Sequence, residues 1–328
     1  NNIQVGTTVH RFGNVQDVKI QSDAAYLACR YDGLVTVSIS VPSRPSLLGK
    51  AKVTVGQSSK SVEHIILSGD VAYAPTDSDG IRRFSIANLT APSVVSQYRP
   101  SGTSFDDLAL TPTHVLGVGS TTSMDFIDVV SYPTPTTPTR AGILNLNLPN
   151  AFPSKVRYVG GKAFILDQSS PQKFHIVDVS VPTSPVLLGA ATVTNNAFCM
   201  EVSSDGTTVY VGGDNITVYD CSSPASILQI GTYADGVSQS YSSLQLEGSR
   251  LHIAAWPRVK VCSVANRTEI TEVASYDTPS VPVVALGAGD KVYVADGQGG
   301  FSILRILDTT VPTIQITAPT ISSQWQTT

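Results

Sequence analysis

The chain has 328 residues, room for at least one full-sized domain whose core needs no disulfide staples. Only 14% of the residues are charged and the net charge is −4, which argues against a basic nucleic-acid footprint. No apolar run reaches the roughly 18 residues of a membrane-spanning helix.

The first residues, Asn1-Asn2-Ile3, carry neither a Met nor an apolar leader, so the expectation is a removed signal or a trimmed start. Ile3-Gln4-Val5-Gly6-Thr7-Thr8 then reads as a lone strand, close in text to Ile227-Leu228-Gln229-Ile230-Gly231-Thr232. Beyond it one pattern recurs seven times: an apolar strand, a polar turn, an apolar-aromatic strand, a Gly/Asp/Ser turn and a third strand. A proline-flanked turn and a fourth strand follow. Anchored on the second strand, the repeats fall at Tyr26, Tyr73, Leu116, Phe164, Tyr210, His252 and Tyr293, 41 to 48 residues apart. A period of about 44 residues suits four short strands with tight turns. Val35, Val37 and Ile39 alternate with Thr36 and Ser38, the period of a strand, and no stretch carries a helical apolar stripe. Proline at Pro42, Pro45, Pro182, Pro185 and Pro224 ends each third strand.

The predicted fold is therefore all-β: a seven-bladed β-propeller of four-stranded antiparallel blades over residues 1–308, with almost no helix. The lone N-terminal strand, residues 3–12, closes the last blade as its outer strand and so removes an open sheet edge. After residue 308 the pattern breaks. Asp308-Thr309-Thr310-Val311-Pro312-Thr313 looks like the entry to an immunoglobulin-like module, so residues 309–328 are expected to be a linker toward further C-terminal domains.

Gly33-Leu34-Val35-Thr36-Val37-Ser38-Ile39-Ser40-Val41-Pro42 and, more closely, His175-Ile176-Val177-Asp178-Val179-Ser180-Val181-Pro182 resemble the LVIVD repeat of bacterial and archaeal surface propellers. Ala72-Tyr73 and Val292-Tyr293-Val294-Ala295-Asp296 look like the strand that precedes the motif. Phe126-Ile127-Asp128-Val129 reads as keeping the motif, whereas Val261-Cys262-Ser263-Val264 has lost its Asp. The resemblance implies fold, and an extracellular or cell-surface location. It implies little about chemistry, because the motif is structural.

Motifs for zinc proteases, serine hydrolases and phosphate loops are absent. Asp77-Ser78-Asp79-Gly80 resembles the start of a calcium loop but lacks the remaining ligands, so Asp77 and Asp79 are weak calcium candidates against a plain turn; no other cofactor is expected. Cys29, Cys199, Cys221 and Cys262 show no metal spacing. Cys29 and Cys262 read as buried thiols, and a disulfide from Cys221 stays open. N-x-T sequons stand at Asn88, Asn215 and Asn266.

Counting back nine residues from each anchor gives Asp17, His64, Asp107, Lys155, Glu201, Ser243 and Val284, five of them ionisable in a chain poor in charge. In a propeller these positions open onto the central channel, and Glu63, Asp106 and Arg157 thicken the set. Two readings stand side by side: mutual pairing that holds the blades in register, and a ligand or metal site with His64 as base or ligand. Turns between second and third strands emerge on the same face and offer Arg30, Tyr31, Asp77, Asp167, Trp256, Arg258 and Asp296 to a ligand, with ordinary turn and packing roles as the alternative.

The leading expectation is a non-catalytic module for adhesion that binds a polysaccharide or a surface protein through this face. The alternative is a polysaccharide lyase or hydrolase with His64 or Tyr31 as base and Arg30, Arg157 or Arg258 as neutraliser. A purely architectural surface role is the third reading. Neither nucleic acid nor a direct membrane span is expected.

Overall fold

The computed structural model describes residues 3–5, 12–76, 79–121, 125–132, 137–146, 152–194, 196–238 and 240–306. Seven four-stranded antiparallel sheets are present. Blade 1 runs Asp17–Gln21, Ala24–Ala28, Leu34–Ser38 and Ser46–Ala51. Blade 2 has Ile66–Ser68, Val71–Pro75, Ile81–Ser85 and Ser93–Tyr98. Blade 3 has Ser104–Leu110, Val115–Ser120, Asp125–Ser131 and Thr139–Asn145. Blade 4 has Pro153–Val159, Lys162–Asp167, Lys173–Asp178 and Val186–Thr192. Blade 5 has Cys199–Val202, Thr208–Gly212, Ile216–Asp220 and Leu228–Tyr233. Blade 6 has Ser240–Glu247, Arg250–Trp256, Arg258–Ser263 and Thr271–Asp277.

Blade 7 supplies Val284–Ala288, Lys291–Ala295 and Phe301–Ile306 from the end of the described chain, and its fourth strand is Ile3–Val5. Ile3 pairs with Ile306, Gln4 with Arg305 and Val5 with Leu304. Residues 6–11, with His10, and 307–328, with the expected linker, lie outside the described residues. One 3-10 turn, Arg30–Asp32, and a small hairpin, Thr54–Val55 with Ser58–Ser59, depart from the repeat. Among the described residues no helix is long and apolar enough to cross a membrane.

The alternation in the strands does not separate a wet face from a dry one. Ala25, Leu27, Val35 and Val37 pack toward Tyr293 and Phe301 of blade 7, while Tyr26, Ala28 and Leu34 pack toward Ala72 and Phe84 of blade 2. Each blade is buried on both faces, so alternate residues serve opposite neighbours. Seven such clusters close the ring, one per interface between blades. Thr36, read as the polar position, is fully buried; its hydroxyl donates to Gly49 O at 3.1 Å and Leu89 O at 2.6 Å.

The outer strands share one irregularity. Blades 1 to 6 all carry a bulge between third and fourth strands, beginning at Thr36/Val37, Arg83/Phe84, Val129/Val130, Ile176/Val177, Val218/Tyr219 and Val261/Cys262. In four blades a glycine sits beside it: Gly49, Gly142, Gly189 and Gly231. A Cβ on these would meet the next blade's turn carbonyl: Leu89 O at 2.7 Å, Pro182 O at 2.1 Å, Pro224 O at 1.8 Å and Thr268 O at 2.7 Å. The turn between third and fourth strands, with or without proline, thus does more than end a strand: it presses its backbone into the preceding blade, and the glycine makes the space.

Candidate functional site

Every anchor pairs with a fixed position in its third strand, from Tyr26 with Thr36 to Tyr293 with Ile303. That common register places the starts of all seven innermost strands around one central cavity of about 430 Å³. Asp17, His64, Asp107, Lys155, Glu201, Ser243 and Val284 all line it, as do Asp106 and Arg157.

The charges form a chain across five blades. His64 Nδ1 lies 2.8 Å from Asp17 Oδ2, and its Nε2 lies 2.9 Å from Asp107 Oδ1. Arg157 continues the chain, with Nη1 at 3.2 Å from Asp107 Oδ2 and Nε at 3.1 Å from Glu201 Oε2. Lys19 Nζ caps the other end, 2.7 Å from Asp17 Oδ1. Backbone amides complete both aspartates in the same way: Ile65 N–H donates to Asp17 Oδ2 at 3.0 Å and Val156 N–H to Asp107 Oδ2 at 2.9 Å. Each aspartate therefore holds the backbone of a neighbouring blade as well as its side chain.

Burial opposes charge throughout this chain, and pairing decides the outcome. It would raise the Asp17 and Asp107 carboxyls, but Lys19 and His64 hold Asp17 well below the usual carboxylate range, and His64, Lys155 and Arg157 do the same for Asp107. Burial would also discharge His64, yet Asp107 and Asp17 outweigh it and raise its pKa. Glu201 is raised by its burial, with Arg157 opposing. With carboxylate oxygens 2.8 and 2.9 Å from its two ring nitrogens, the imidazole has neither nitrogen turned to a substrate or a metal. The distances are those of ion pairs that link one blade to the next.

The mouth turns divide. Tyr31 is exposed, in a turn where Arg30 adopts a φ of 44° held by reciprocal backbone bonds with Val62 of 2.9 and 3.1 Å. Arg30 reaches Glu63 at 3.5 Å. Trp256 is half-buried, and Arg258 is committed to Asp277 at 2.9 Å. Asp167 and Asp296 are buried rather than exposed at the mouth. Asp167 is fully buried and accepts hydrogen bonds from Phe152 N–H at 2.8 Å and from Ser169 N–H at 2.9 Å, with His175 Nε2 at 3.4 Å. Asp296 is likewise buried, caps Ser280 N–H at 3.1 Å, and is pushed up to about 6 by burial. Asp167 folds back onto the local amide of Ser169, as short polar side chains in turns do, and both aspartates also hold an amide of the loop that enters their own blade.

Asp77 lies outside the described residues. Asp79 is buried and bonded by Arg82, with Arg99 at 3.3 Å; two guanidinium groups already neutralise it, which leaves it unsuited to calcium. Among the described residues there is no group of three His, Cys, Asp or Glu side chains placed to hold a metal. All four cysteines are buried free thiols pushed up to about 12 by burial, so the disulfide left open for Cys221 is absent.

A second polar ring was not anticipated from the sequence. The third-strand residue just before each anchor's partner is Val35, Arg82, Asp128, His175, Thr217, Lys260 or Ser302. Asp128 takes a bidentate Arg140 and the Tyr98 hydroxyl at 2.8 Å. Lys260, almost fully buried, binds Asp235 and lies 2.8 Å from Glu272. Asp128 thus corresponds to His175, three positions before the Asp178 of the repeat, so unit three does not keep the motif Asp. Superimposing the units on their anchors, rather than on the Asp, is the signal that exposes this ring.

The LVIVD repeat matches residues 12–53 and 157–193, the first and fourth units. No protein of curated function matches the chain. The fold is similar to the Myceliophteria thermophila Cps50 (Swd1) β-propeller domain, at 11% identity and a TM-score of 0.71 over 93% of this chain and 100% of that one. It is also similar to the computationally designed Ika8 protein, at 10% identity and a TM-score of 0.64 with the same coverage. The chain is a seven-bladed propeller that carries LVIVD repeats.

Proposed function

We propose that this chain is a non-catalytic extracellular binding module that grips a polysaccharide or a surface protein with the rim of its channel mouth. One observation carries the reading. Residues entering blades 4, 5, 6 and 7, namely Phe152, Phe198, Val237 and Val281, are from 38% to 53% exposed, and Tyr31 of the blade 1 turn is 59% exposed. These loops all leave the ring at the mouth end and gather large apolar side chains there, whereas other exposed apolar residues, such as Val41, Val181 and Leu228, stand on third-to-fourth-strand turns and outer strands. Isolated exposed apolar residues are ordinary, but a recurrent set on one face is a feature of interaction surfaces.

The charge chain favours binding over catalysis, because His64 and Arg157, two of the residues a lyase could use, are committed to carboxylates. Extracellular placement rests on the low lysine content and on exposed sequons at Asn88 and Asn266. Further C-terminal modules remain part of this proposal.

The test incubates the purified chain with acidic and neutral polysaccharides and with candidate surface proteins. Bound protein and released unsaturated or reducing ends are read in the same wells. Binding without product, weakened by Tyr31→Ala and Phe198→Ser, is the expected result. Product release, or binding indifferent to both substitutions, overturns the proposal.

A further inference from the structure

The central cavity holds two opposite charges that form no ion pair within the blade-to-blade chain. Asp106 sits at a bulge: Phe105 pairs with Gly119 and Asp107 with Val118, so Asp106 has no partner across the ladder. The bulge brings two consecutive aspartates into the cavity, Asp107 into the ion chain and Asp106 beside it. Blades 4 and 6 carry the same bulge with serines, Ser154 and Ser242. Their hydroxyls bond back to carbonyls, Ser154 to Leu166 O at 3.5 Å and Ser242 to Ala254 O at 3.1 Å. Blade 3 places a carboxylate where the others need only a hydroxyl, and its buried Oδ2 accepts no hydrogen bond. Leaving a buried acceptor unsatisfied costs stability without structural return.

Lys155 of the next blade also lines the cavity, and no carboxylate oxygen of a described residue lies within 4.0 Å of its ammonium. Across the ring, blade 7 presents Val283, Val284 and Leu286. Burial pushes Asp106 up to about 6, with Lys155 opposing and Asp107 adding. An unpaired anion, an unpaired cation and an apolar wall in one cavity complement a small molecule with both charges and an apolar tail.

We infer that the channel cavity is a binding site for a free α-amino acid with an apolar side chain. Its ammonium sits on Asp106, its carboxylate on Lys155, and its side chain lies against Val283, Val284 and Leu286. The inference is independent of the rim, whose macromolecular binding can fail or succeed separately.

Titration calorimetry at neutral pH with leucine, 4-methylpentanoate and 3-methylbutan-1-amine tests it, since each analogue keeps the tail and one charge. Leucine should bind, each analogue at least about ten-fold more weakly. Asp106→Ser, the residue that blades 4 and 6 use, and Lys155→Met should each weaken leucine by about ten-fold while the ring stays folded at the assay temperature. No binding of leucine at about 10 mM overturns the inference, as does equal binding of the three compounds or insensitivity to both substitutions. The two side chains would then merely attract each other across the cavity.

Discussion

His64 joins three blades through one imidazole, and its protonation state sets whether it does so. Its pKa is raised in the fold above the ordinary 6.5, so the folded chain binds that proton more tightly than the unfolded one. The resulting stabilisation is complete below the unfolded value and is lost as pH rises through the folded one. Asp17 and Asp107 act in the opposite sense: lowered from 3.8, they stabilise above that value, and the gain is lost as pH falls through their folded values. Thermal stability should therefore peak between these limits and decline on the alkaline side. His64→Gln removes the charge and leaves two buried carboxylates facing one another, a loss of about 3–5 kcal/mol below pH 6.5. The substitution should also flatten the alkaline decline. Melting curves from acid to alkaline pH check both points; an unchanged alkaline slope in the variant would remove His64 from this role.

Between blades, the outer strand and the following turn form a repeated clasp whose tolerance is set by backbone, not by side chains. Gly189 has no need of glycine's conformational freedom; its constraint is Pro224 O, 1.8 Å from where a Cβ would stand. Gly189→Ala should cost about 1–3 kcal/mol, because a carbonyl of a packed turn cannot rotate away as a side-chain tip can. Leu188→Ala, one residue earlier and partly exposed, should cost much less. Equal losses in denaturant titrations would mean that the clasp contributes nothing specific. The prolines made these turns legible in the sequence, but the glycine opposite each was not, since it answers a residue some 35 to 40 positions away. The anchors and the count back to the channel were legible because strand length and register recur from blade to blade. Asp128 was misplaced because a motif matched by letters ignores the bulge that fixes register. The burial of Asp167 and Asp296 was not legible, because their turns fold the carboxylate inward and nothing local to their text distinguishes that from a carboxylate facing solvent.

A ring of seven blades has one seam, and here the seam runs through a three-residue strand. Blade 7 is completed by Ile3–Val5, so the two ends of the described chain meet in a single antiparallel ladder. The other six blades are each finished by the strand that follows in sequence; only this one depends on a segment some 300 residues away. Non-local pairing forms late and adds to the stability of everything already assembled. Without it, Phe301–Ile306 becomes an open edge that carries Phe301, Ile303 and Leu304 of the blade 7 core. The loss should also reach blade 1, because Phe301 and Ile303 pack in one cluster with Val35 and Val37. Removing residues 1–5 should thus lower the melting temperature of the whole ring in one cooperative step and promote association through the freed edge. Calorimetry with light scattering would register both effects, and addition of a peptide of residues 1–5 in excess should reverse them in part by mass action. A truncated chain that melts and scatters like the parent would mean that the hydrophobic interface between blades 7 and 1 closes the ring unaided, with the N-terminal strand an ornament on a seam already sealed.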